Sequence, residues 1–187
     1  LGLGSTLSTS TLTEVSGLSN VSSVETMYDH TCARLNDGRL KCWGHNYYQQ
    51  LGYTNIINRI STNIPLDVLG SYQFSKMAGG IYSTCGIFDN KSINCWGNSW
   101  RGNNSNLNWW KPEPSRRTGA FNAKDVAAGN RHFCAVEDVT GKVFCWGDAV
   151  NGEMGDGTTG GNHVPEEVVG ITGALEVDLG NDISCAR

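Results

Sequence analysis

The cysteines are the residues of this chain whose type and spacing could do chemistry. Six of the seven fall into three close pairs, 10, 10 and 11 residues apart: Cys32 and Cys42, Cys85 and Cys95, and Cys134 and Cys145. Paired thiols can form disulfides, hold a metal ion, or stay reduced as small apolar side chains. The Cys-x-x-Cys spacing of common zinc sites is absent, and we therefore predict three local disulfides and no metal site. Reduced, half-buried cysteines stay open as the alternative.

Each cysteine pair flanks a sequence typical of a tight turn, which predicts three β-hairpins. In the first hairpin, placing Cys32 opposite Cys42 leaves the three-residue loop 36–38 (Asn-Asp-Gly), for which a left-handed glycine and a bulge are a common solution. The Cα atoms of directly opposed, non-hydrogen-bonded residues lie about 4.5 Å apart, at the short end of the range for a disulfide. Such bridges would fix the register of each hairpin and indicate an oxidising compartment.

The hairpins belong to an internal repeat. The first cysteine of each unit recurs after 53, 49 and 51 residues, in a set that ends with an unpaired cysteine: Cys32, Cys85, Cys134 and Cys185. We divide the single domain 1–187 into units of about 50 residues: 1–50, 51–102, 103–152 and 153–187. Each unit has about four short strand patterns and no segment has helical periodicity, so we predict an all-β propeller with about three and a half blades.

Composition argues against several classes of function. The chain has 187 residues, a net charge of −4 and 24 glycines, and only 17% of its residues are charged. Because there is no basic run to neutralise phosphates, we predict no nucleic-acid partner. No apolar stretch approaches the roughly 20 residues of a membrane-spanning helix, so we predict no membrane span. Nothing in the sequence calls for a cofactor.

Four motifs resemble the repeats of the regulator of chromosome condensation family: His30-Thr31-Cys32-Ala33, Cys42-Trp43-Gly44, Leu51-Gly52 and Val126-Ala127-Ala128-Gly129. They are most similar to its cysteine-bearing bacterial and extracellular branch. The resemblance implies a seven-bladed propeller, of which this chain would form half, with the other blades supplied by missing chain or a second subunit. Cys185 would then pair within that missing part. The sequence departs from the family pattern at Ser83, which replaces the motif histidine, and at 101–105, which replaces Gly-Gln-Leu-Gly.

The histidines give no sign of an active site. His30 and His132 lie two residues before a hairpin cysteine, and their recurrence at one repeat position predicts a packed or hydrogen-bonded structural role. The segment 152–159 lacks the alternating Asp/Asn ligands of a calcium loop. Because no Ser-His-Asp or Cys-His arrangement can be assigned, we predict that the chain is not an enzyme.

The repeat does not explain the segment 100–117, which is rich in tryptophan and arginine. Such residues often anchor protein interfaces, and stacked tryptophan with asparagine can also hold sugar rings. We predict a partner-binding set that adds two tyrosines from 46–50: Trp100, Arg101, Trp109, Trp110, Arg116, Arg117, Tyr47 and Tyr48. The alternative is that Trp109 and Trp110 pack between blades. Three glycosylation sequons are also present, which would matter in a secreted eukaryotic protein: Asn20, Asn90 and Asn103.

Together these patterns predict a non-enzymatic recognition or adhesion module, secreted or at the cell surface, that binds a protein or a surface glycan through propeller loops. Two alternatives stay open. One is a structural subunit of a filament, envelope or surface layer, and the other is an inhibitor of a secreted enzyme, which rests on the family resemblance alone. A propeller is a scaffold for many activities, so the fold itself does not decide among them.

Overall fold

The computed structural model describes residues 1–53, 60–98, 110–116 and 121–187, with the side chains of 110–116 and of residue 163 excepted. This part of the chain contains strands and no helix. The strands, in chain order, are β1 (Val21–Thr26), β2 (His30–Leu35), β3 (Leu40–Gly44), β4 (Thr62–Asp67), β5 (Phe74–Gly79), β6 (Ser83–Phe88), β7 (Ile93–Asn98), β8 (Trp110–Arg116), β9 (Ala123–Ala128), β10 (His132–Glu137), β11 (Val143–Gly147), β12 (Asn162–Glu167), β13 (Val177–Leu179) and β14 (Ser184–Ala186).

The strands form successive antiparallel sheets, each running in chain order. Blade 1 is β1–β4, blade 2 is β5–β8, blade 3 is β9–β12, and the hairpin β13–β14 begins blade 4. The first strands of neighbouring blades contact one another, so the blades converge along that edge. This arrangement confirms the predicted all-β propeller of about three and a half blades. The fourth strand of each four-stranded blade lies in the sequence unit after the one that holds the other three strands. The reason is that the unit boundaries fall just after the third strand.

The three predicted hairpins and disulfides are present. In each hairpin the two cysteines are directly opposed, and their Cα atoms lie 4.1, 4.0 and 4.1 Å apart: Cys32–Cys42, Cys85–Cys95 and Cys134–Cys145. In the first hairpin the Leu35 amide donates to the Arg39 carbonyl oxygen at 2.8 Å, and Gly38 has a φ of +84°. The loop therefore has the predicted three residues with a left-handed glycine at its end.

Hairpin tips are hydrogen-bonded to the blade that follows. The carbonyl oxygen of the left-handed residue at each tip accepts a hydrogen bond from a backbone amide of the next blade, at 2.8, 2.8 and 3.0 Å: Gly38 from Phe74, Lys91 from Ala123, and Gly141 from Ala174. Since the same bond recurs at three successive interfaces, the turn sequence positions each blade against its neighbour as well as closing the hairpin.

The tryptophans of the second and third Cys-Trp-Gly motifs, Trp96 and Trp146, are buried between blades. Trp96 of blade 2 packs in a cluster with Leu40, Leu51 and the first disulfide of blade 1. Trp146 of blade 3 packs in the same way against Ile87 and other apolar residues of blade 2. Blades 2 and 3 therefore each need the disulfide-bearing face of the preceding blade to cover their tryptophan, as expected of a repeat protein whose stability comes from stacking.

We expect one alkylatable thiol in the native, non-reduced chain and seven after reduction in denaturant. The reason is that six cysteines are in disulfides, whereas Cys185 on β14 is exposed and outside any disulfide. Intact mass after alkylation with and without reductant measures both counts. Cys185→Ser is the matched control and should give no thiol without reductant. Seven reactive thiols in a native, never-reduced preparation would contradict the disulfides.

Candidate functional site

The end of the molecule opposite the hairpin tips is built from loops of every blade. At this end the backbone amide that follows the glycine of each Cys-Trp-Gly motif donates to the carbonyl oxygen of the residue before the second strand, at 2.8, 2.8 and 2.9 Å: His45 to Asp29, Asn98 to Tyr82, and Asp148 to Arg131. Neighbouring blades are joined here as well, because the Ile81 amide donates to the Asn130 carbonyl oxygen at 2.9 Å. We call this surface the loop face; it comprises residues 28–30, 45–50, 80–83, 129–132, 148–153 and 181–183.

The loop 45–50 is held in one conformation by its own buried amide side chains. Asn46 Oδ1 accepts a hydrogen bond from the Leu51 amide at 3.0 Å, and Gln50 Oε1 accepts one from the Tyr48 amide at 3.0 Å. Both amide side chains are buried, with Gln50 fully inaccessible to solvent. These bonds satisfy backbone donors that a tight loop would otherwise leave unpaired. The loop is therefore a preorganised platform, and Tyr47, which is 50% exposed, projects from it.

Aromatic rings of blades 1 and 2 meet on this platform. The ring centroids of Tyr47 and Tyr48 lie 5.1 Å apart in an edge-to-face arrangement, and Tyr48 lies 4.3 Å from Tyr82 of blade 2. His45 stacks on Tyr47 with centroids 6.5 Å apart. The structure thus brings together the two tyrosines singled out in the sequence. Sequence reasoning missed Tyr82 and His45, although Tyr82 occupies the repeat position of Asp29, which varies in charge and size from unit to unit.

The segment 100–117, which is rich in tryptophan and arginine, is located in the structure only by the described residues beside it. Trp100, Arg101, Trp109 and Arg117 lie outside the described residues, and Trp110 and Arg116 belong to β8, whose side chains are not described. Asn98 pairs with Trp110 at the loop face, beside Tyr82. The residues flanking 99–109 therefore adjoin the tyrosine cluster, and the binding role of this segment stays a prediction.

Two of the three sequons, Asn20 and Asn90, lie away from the loop face. Asn20 is exposed in a left-handed conformation with a φ of 55°, and its carbonyl oxygen accepts the Asn36 amide at 2.7 Å. Asn90 is exposed in the second hairpin turn, where its Oδ1 accepts hydrogen bonds from the Ser92 amide and hydroxyl at 3.0 and 2.7 Å. Asn103 lies outside the described residues. A glycan on Asn20 or Asn90 would leave the tyrosine cluster uncovered.

A pocket of about 580 Å³ opens on the loop face between blades 3 and 4. Its ionisable lining, apart from a histidine, consists of one guanidinium and three carboxyl groups: Arg131, Asp148, Glu153 and Asp182. Glu153 Oε2 accepts the amides of Val150 and Asn151 at 3.0 and 2.8 Å. Desolvation is the largest influence on the Glu153 pKa and raises it, but the hydrogen bonds to the loop amides together bring that pKa below its usual value. The pocket is therefore acidic at neutral pH.

His30 connects blade 1 to blade 2 through a hydroxyl group. Its Nε2 lies 2.9 Å from Thr84 Oγ1, and that hydroxyl donates to the Gln50 carbonyl oxygen, also at 2.9 Å. Since the single hydroxyl proton is used at Gln50, Thr84 must accept from His30 Nε2–H. Burial, and secondarily the charge of His45, lowers the pKa of His30 to about 3, so the ring is neutral in the fold.

His132 repeats this arrangement one interface further on. Its Nε2 lies 3.0 Å from Ser184 Oγ, which donates to the Glu153 carbonyl oxygen at 2.9 Å. Burial lowers the pKa of His132, opposed by the negative charges of Glu153 and Asp182. Both histidines therefore have structural roles, as their recurrence indicated. Where Ser83 replaces the histidine, the facing position of the next blade is Phe133, which has no hydroxyl.

A charged pair between inner strands was not anticipated from the sequence. Lys76 of β5 pairs with Asp125 of β9, and Asp125 is 5% exposed in its side chain. Asp125 also accepts the amides of Val126 and Val177, both at 2.9 Å. One carboxylate thus connects blades 2, 3 and 4, which gives it a structural use. The available signal was a charged residue at one repeat position of three consecutive units, in or directly before the first strand: Lys76, Asp125 and Glu176.

The residues that the structure describes contain no group of three or more His, Cys, Asp or Glu side chains arranged to hold a metal ion. Nor do they include a helix with the length and apolar character needed to cross a bilayer.

Comparison with known proteins gives consistent matches along the chain. Models of the regulator of chromosome condensation (RCC1) repeat match residues 22–50, 123–153 and 140–187. The ultraviolet-B receptor UVR8 of Arabidopsis thaliana is 28% identical over 167 residues, which cover 87% of this chain and 36% of the receptor. The chain spans less than half the length of the curated relatives it matches.

Solved structures with the same fold include two whose chains are also about twice as long as this one. Prp20p of Saccharomyces cerevisiae superposes with a TM-score of 0.79 at 19% identity, covering 91% of this chain and 44% of Prp20p. The CRINKLY ectodomain of the receptor kinase ACR4 of Arabidopsis thaliana gives a TM-score of 0.56 at 22% identity, covering 89% of this chain and 46% of the ectodomain. At these identities the likeness establishes the fold alone.

Proposed function

Because the chain belongs to the regulator of chromosome condensation (RCC1) repeat family, we propose that it is a non-enzymatic propeller segment that binds another protein through its loop face. The observation that carries the proposal is the tyrosine cluster. Tyr47 stands half exposed on a loop whose backbone is fixed by buried amides, and Tyr48 and Tyr82 support it across a blade boundary. Rigid aromatic side chains of this kind lose little conformational entropy on binding and dominate many interfaces.

The charged groups of the pocket beside the tyrosine cluster indicate what chemical groups a partner would present. The pocket between blades 3 and 4 has three carboxyl groups against one arginine, and Ile81 lines it from blade 2, next to Tyr82 in the chain. A partner that covers both areas would gain from apolar or aromatic groups over the tyrosines and basic side chains over the pocket. Prp20p of Saccharomyces cerevisiae is described as binding Gsp1p and histones, so protein binding has a precedent on this fold.

We further propose that the protein works outside the cell or on its surface. Three disulfides within 187 residues suit an oxidising compartment, because such bonds rarely persist in the cytosol. The ACR4 structure is described as a receptor ectodomain, which gives the fold an extracellular precedent. Exposed aromatic rings can also stack on sugars, and a surface glycan is therefore the second ligand class that the binding experiment must include.

Photo-crosslinking at Tyr47 tests the binding face. We expect a benzoylphenylalanine at position 47 to crosslink one partner from the native extracellular or surface fraction, whereas the same group at Val139 should not. Val139 is the matched control because it is 84% exposed at a hairpin tip, at the opposite end of the molecule. The adduct is identified by mass spectrometry, and an array of surface glycans is probed in parallel with the same two variants.

Competition then separates specific from non-specific capture. Unlabelled wild-type chain should suppress the adduct, whereas a Tyr47→Ala/Tyr48→Ala chain should need at least about tenfold higher concentration, since truncating a central aromatic anchor commonly costs about 2 kcal/mol. Equal crosslinking from positions 47 and 139, or equal competition by the variant, would overturn the proposed binding face. A glycan that binds the wild type and fails to bind the variant would show that the partner is a sugar and not a protein.

A further inference from the structure

We propose that a hydrogen-bonded chain between two histidines is an acid-released latch on the loop that carries Tyr47. The members of the chain, in order, are His30, Thr84, Gln50 and His45. As the pH falls, the latch opens and the loop 45–50 loses its fixed conformation. The regulatory role of the latch rests on the proposed function of the loop face, whereas the latch itself is a property of the fold.

The directions of the hydrogen bonds follow from the groups involved. His30 Nε2–H donates to Thr84, and Thr84 donates to the Gln50 carbonyl oxygen, each at 2.9 Å. The side-chain amide of Gln50 can only donate through its nitrogen, so at 2.9 Å it donates to His45 Nδ1. Gln50 is therefore held from both sides. Its backbone carbonyl is tied to blade 2 through Thr84, and its side chain is tied to the start of its own loop through His45.

Protonation of His30 disrupts the chain at the end that joins blade 1 to blade 2. Nδ1 of His30 is buried with no hydrogen-bond partner among the described residues, so a proton there would place an unsatisfied, charged donor in the interior. At the other end, Nδ1 of His45 accepts from the Gln50 side chain, so the position of Gln50 depends on both histidines. Thr84 and Gln50 are both fully buried, and water cannot replace the lost bonds without opening the loop.

The charges around the two interblade histidines differ. His45, on the latched loop, is the titratable group whose charge acts on His30, and it disfavours a positive ring. Around His132 the corresponding groups are Glu153 on the following loop and Asp182 of blade 4, and both favour a positive ring. Arg131 and Asp148 line the same pocket as His132. The chain that His132 makes through Ser184 is thus compensated by carboxylates, and it serves as an internal comparison.

The sign of the pH effect follows from proton binding. In the closed loop the pKa of His30 is about 3, whereas in an opened loop it returns towards its ordinary 6.5. Below about pH 6.5 the open form therefore binds a proton that the closed form excludes, and the ratio of open to closed rises up to about tenfold per pH unit. Above pH 6.5 both forms are neutral at His30 and the ratio is constant. The ratio of open to closed stops rising near pH 3, because the closed form then also binds the proton.

Hydrogen exchange of the peptide covering 45–52 tests the latch without any partner. Exchange rates are measured by mass spectrometry from pH 7.5 to pH 4.5. Protection is the intrinsic rate, measured on an unstructured reference peptide, divided by the rate in the protein. We expect protection in the wild type to be constant above about pH 6.5 and to fall by up to about tenfold per unit below it. In His30→Gln/His45→Gln, which keeps an amide at each end of the chain but removes both imidazole rings, protection should not depend on pH. The peptide covering 148–153 should change less than 45–52 in the wild type.

Two controls keep the test decisive. Thr84→Ser retains the hydroxyl and both histidines and should retain the acid response, and a thermal melt at pH 7.5 confirms that each variant is folded. Constant wild-type protection down to pH 4.5 overturns the latch whatever the variants do, as does an equal fall in the glutamine double variant. If the loop opens in acid but no crosslink forms at Tyr47, the proposed function fails and the latch stands. If a partner crosslinks at Tyr47 and protection is constant, the latch fails and the proposed function stands.

Discussion

Replacing Trp146 with alanine is expected to lower the free energy of unfolding by about 3–5 kcal/mol, the range for removing a buried tryptophan or phenylalanine from a core. The side chain is fully buried, and it fills the interface between blades 2 and 3 beside the stacked ring of Phe133, at a centroid distance of 5.8 Å. Denaturant unfolding followed by circular dichroism measures the loss. Because whole domains are typically stable by only about 5–15 kcal/mol, this single change should approach the limit of folding.

The matched controls separate burial from side-chain size. Val139→Ala removes apolar atoms from an exposed turn and should change stability by less than about 0.5 kcal/mol. Trp146→Phe keeps a ring in the interface and should cost less than the alanine variant. A loss below about 1 kcal/mol for Trp146→Ala would contradict the view that blades are held together by burying each tryptophan against the preceding blade.

Sequence alone predicted the features that repeat within a unit. The spacing between Cys32 and Cys42 specified a hairpin, its register and a three-residue loop, because a disulfide across two strands allows few alternatives. The period of about 50 residues with four strand patterns then specified blades. Tyr47 and Tyr48, predicted from the sequence to bind a partner, both lie on the loop face, Tyr47 exposed and Tyr48 half-buried, and their binding role stays a prediction.

Contacts between units were much harder to predict, because they depend on how one blade is placed against the next. The pair Lys76–Asp125 and the contact between Tyr48 and Tyr82 join residues 49 and 34 positions apart on different sheets. One interblade rule was nevertheless visible in the sequence. A unit with the motif histidine is followed by a unit with a hydroxyl residue one place further along its own motif, as in His30 with Thr84, and where Ser83 replaces histidine, phenylalanine follows.

Replacing Gly147 with alanine is expected to lower the free energy of unfolding well beyond the ordinary cost of a left-handed alanine. Gly147 ends the Cys-Trp-Gly motif with a φ of +123°, and a Cβ atom there would lie 2.7 Å from the Cα of His132 and closer still to the carbonyl oxygen of Arg131. That carbonyl accepts the Asp148 amide at 2.9 Å, so the added methyl group would push apart the strands where the loop face begins. Gly44 and Gly97 are confined by the equivalent carbonyls, which explains why the motif ends in glycine.

Gly157→Ala is the matched control, because Gly157 also has a positive φ, +88°, yet a Cβ atom there would meet nothing within 4 Å. The control should lose about 1–2 kcal/mol from backbone conformation alone. Gly147→Ala should lose a similar amount plus about 1–3 kcal/mol from overpacking, since the nearest atoms belong to the backbone and cannot rotate away. Denaturant unfolding of the two variants measures the difference directly. Equal losses would mean that glycine is needed at position 147 for its conformation only, and that the close approach to Arg131 imposes no constraint of its own.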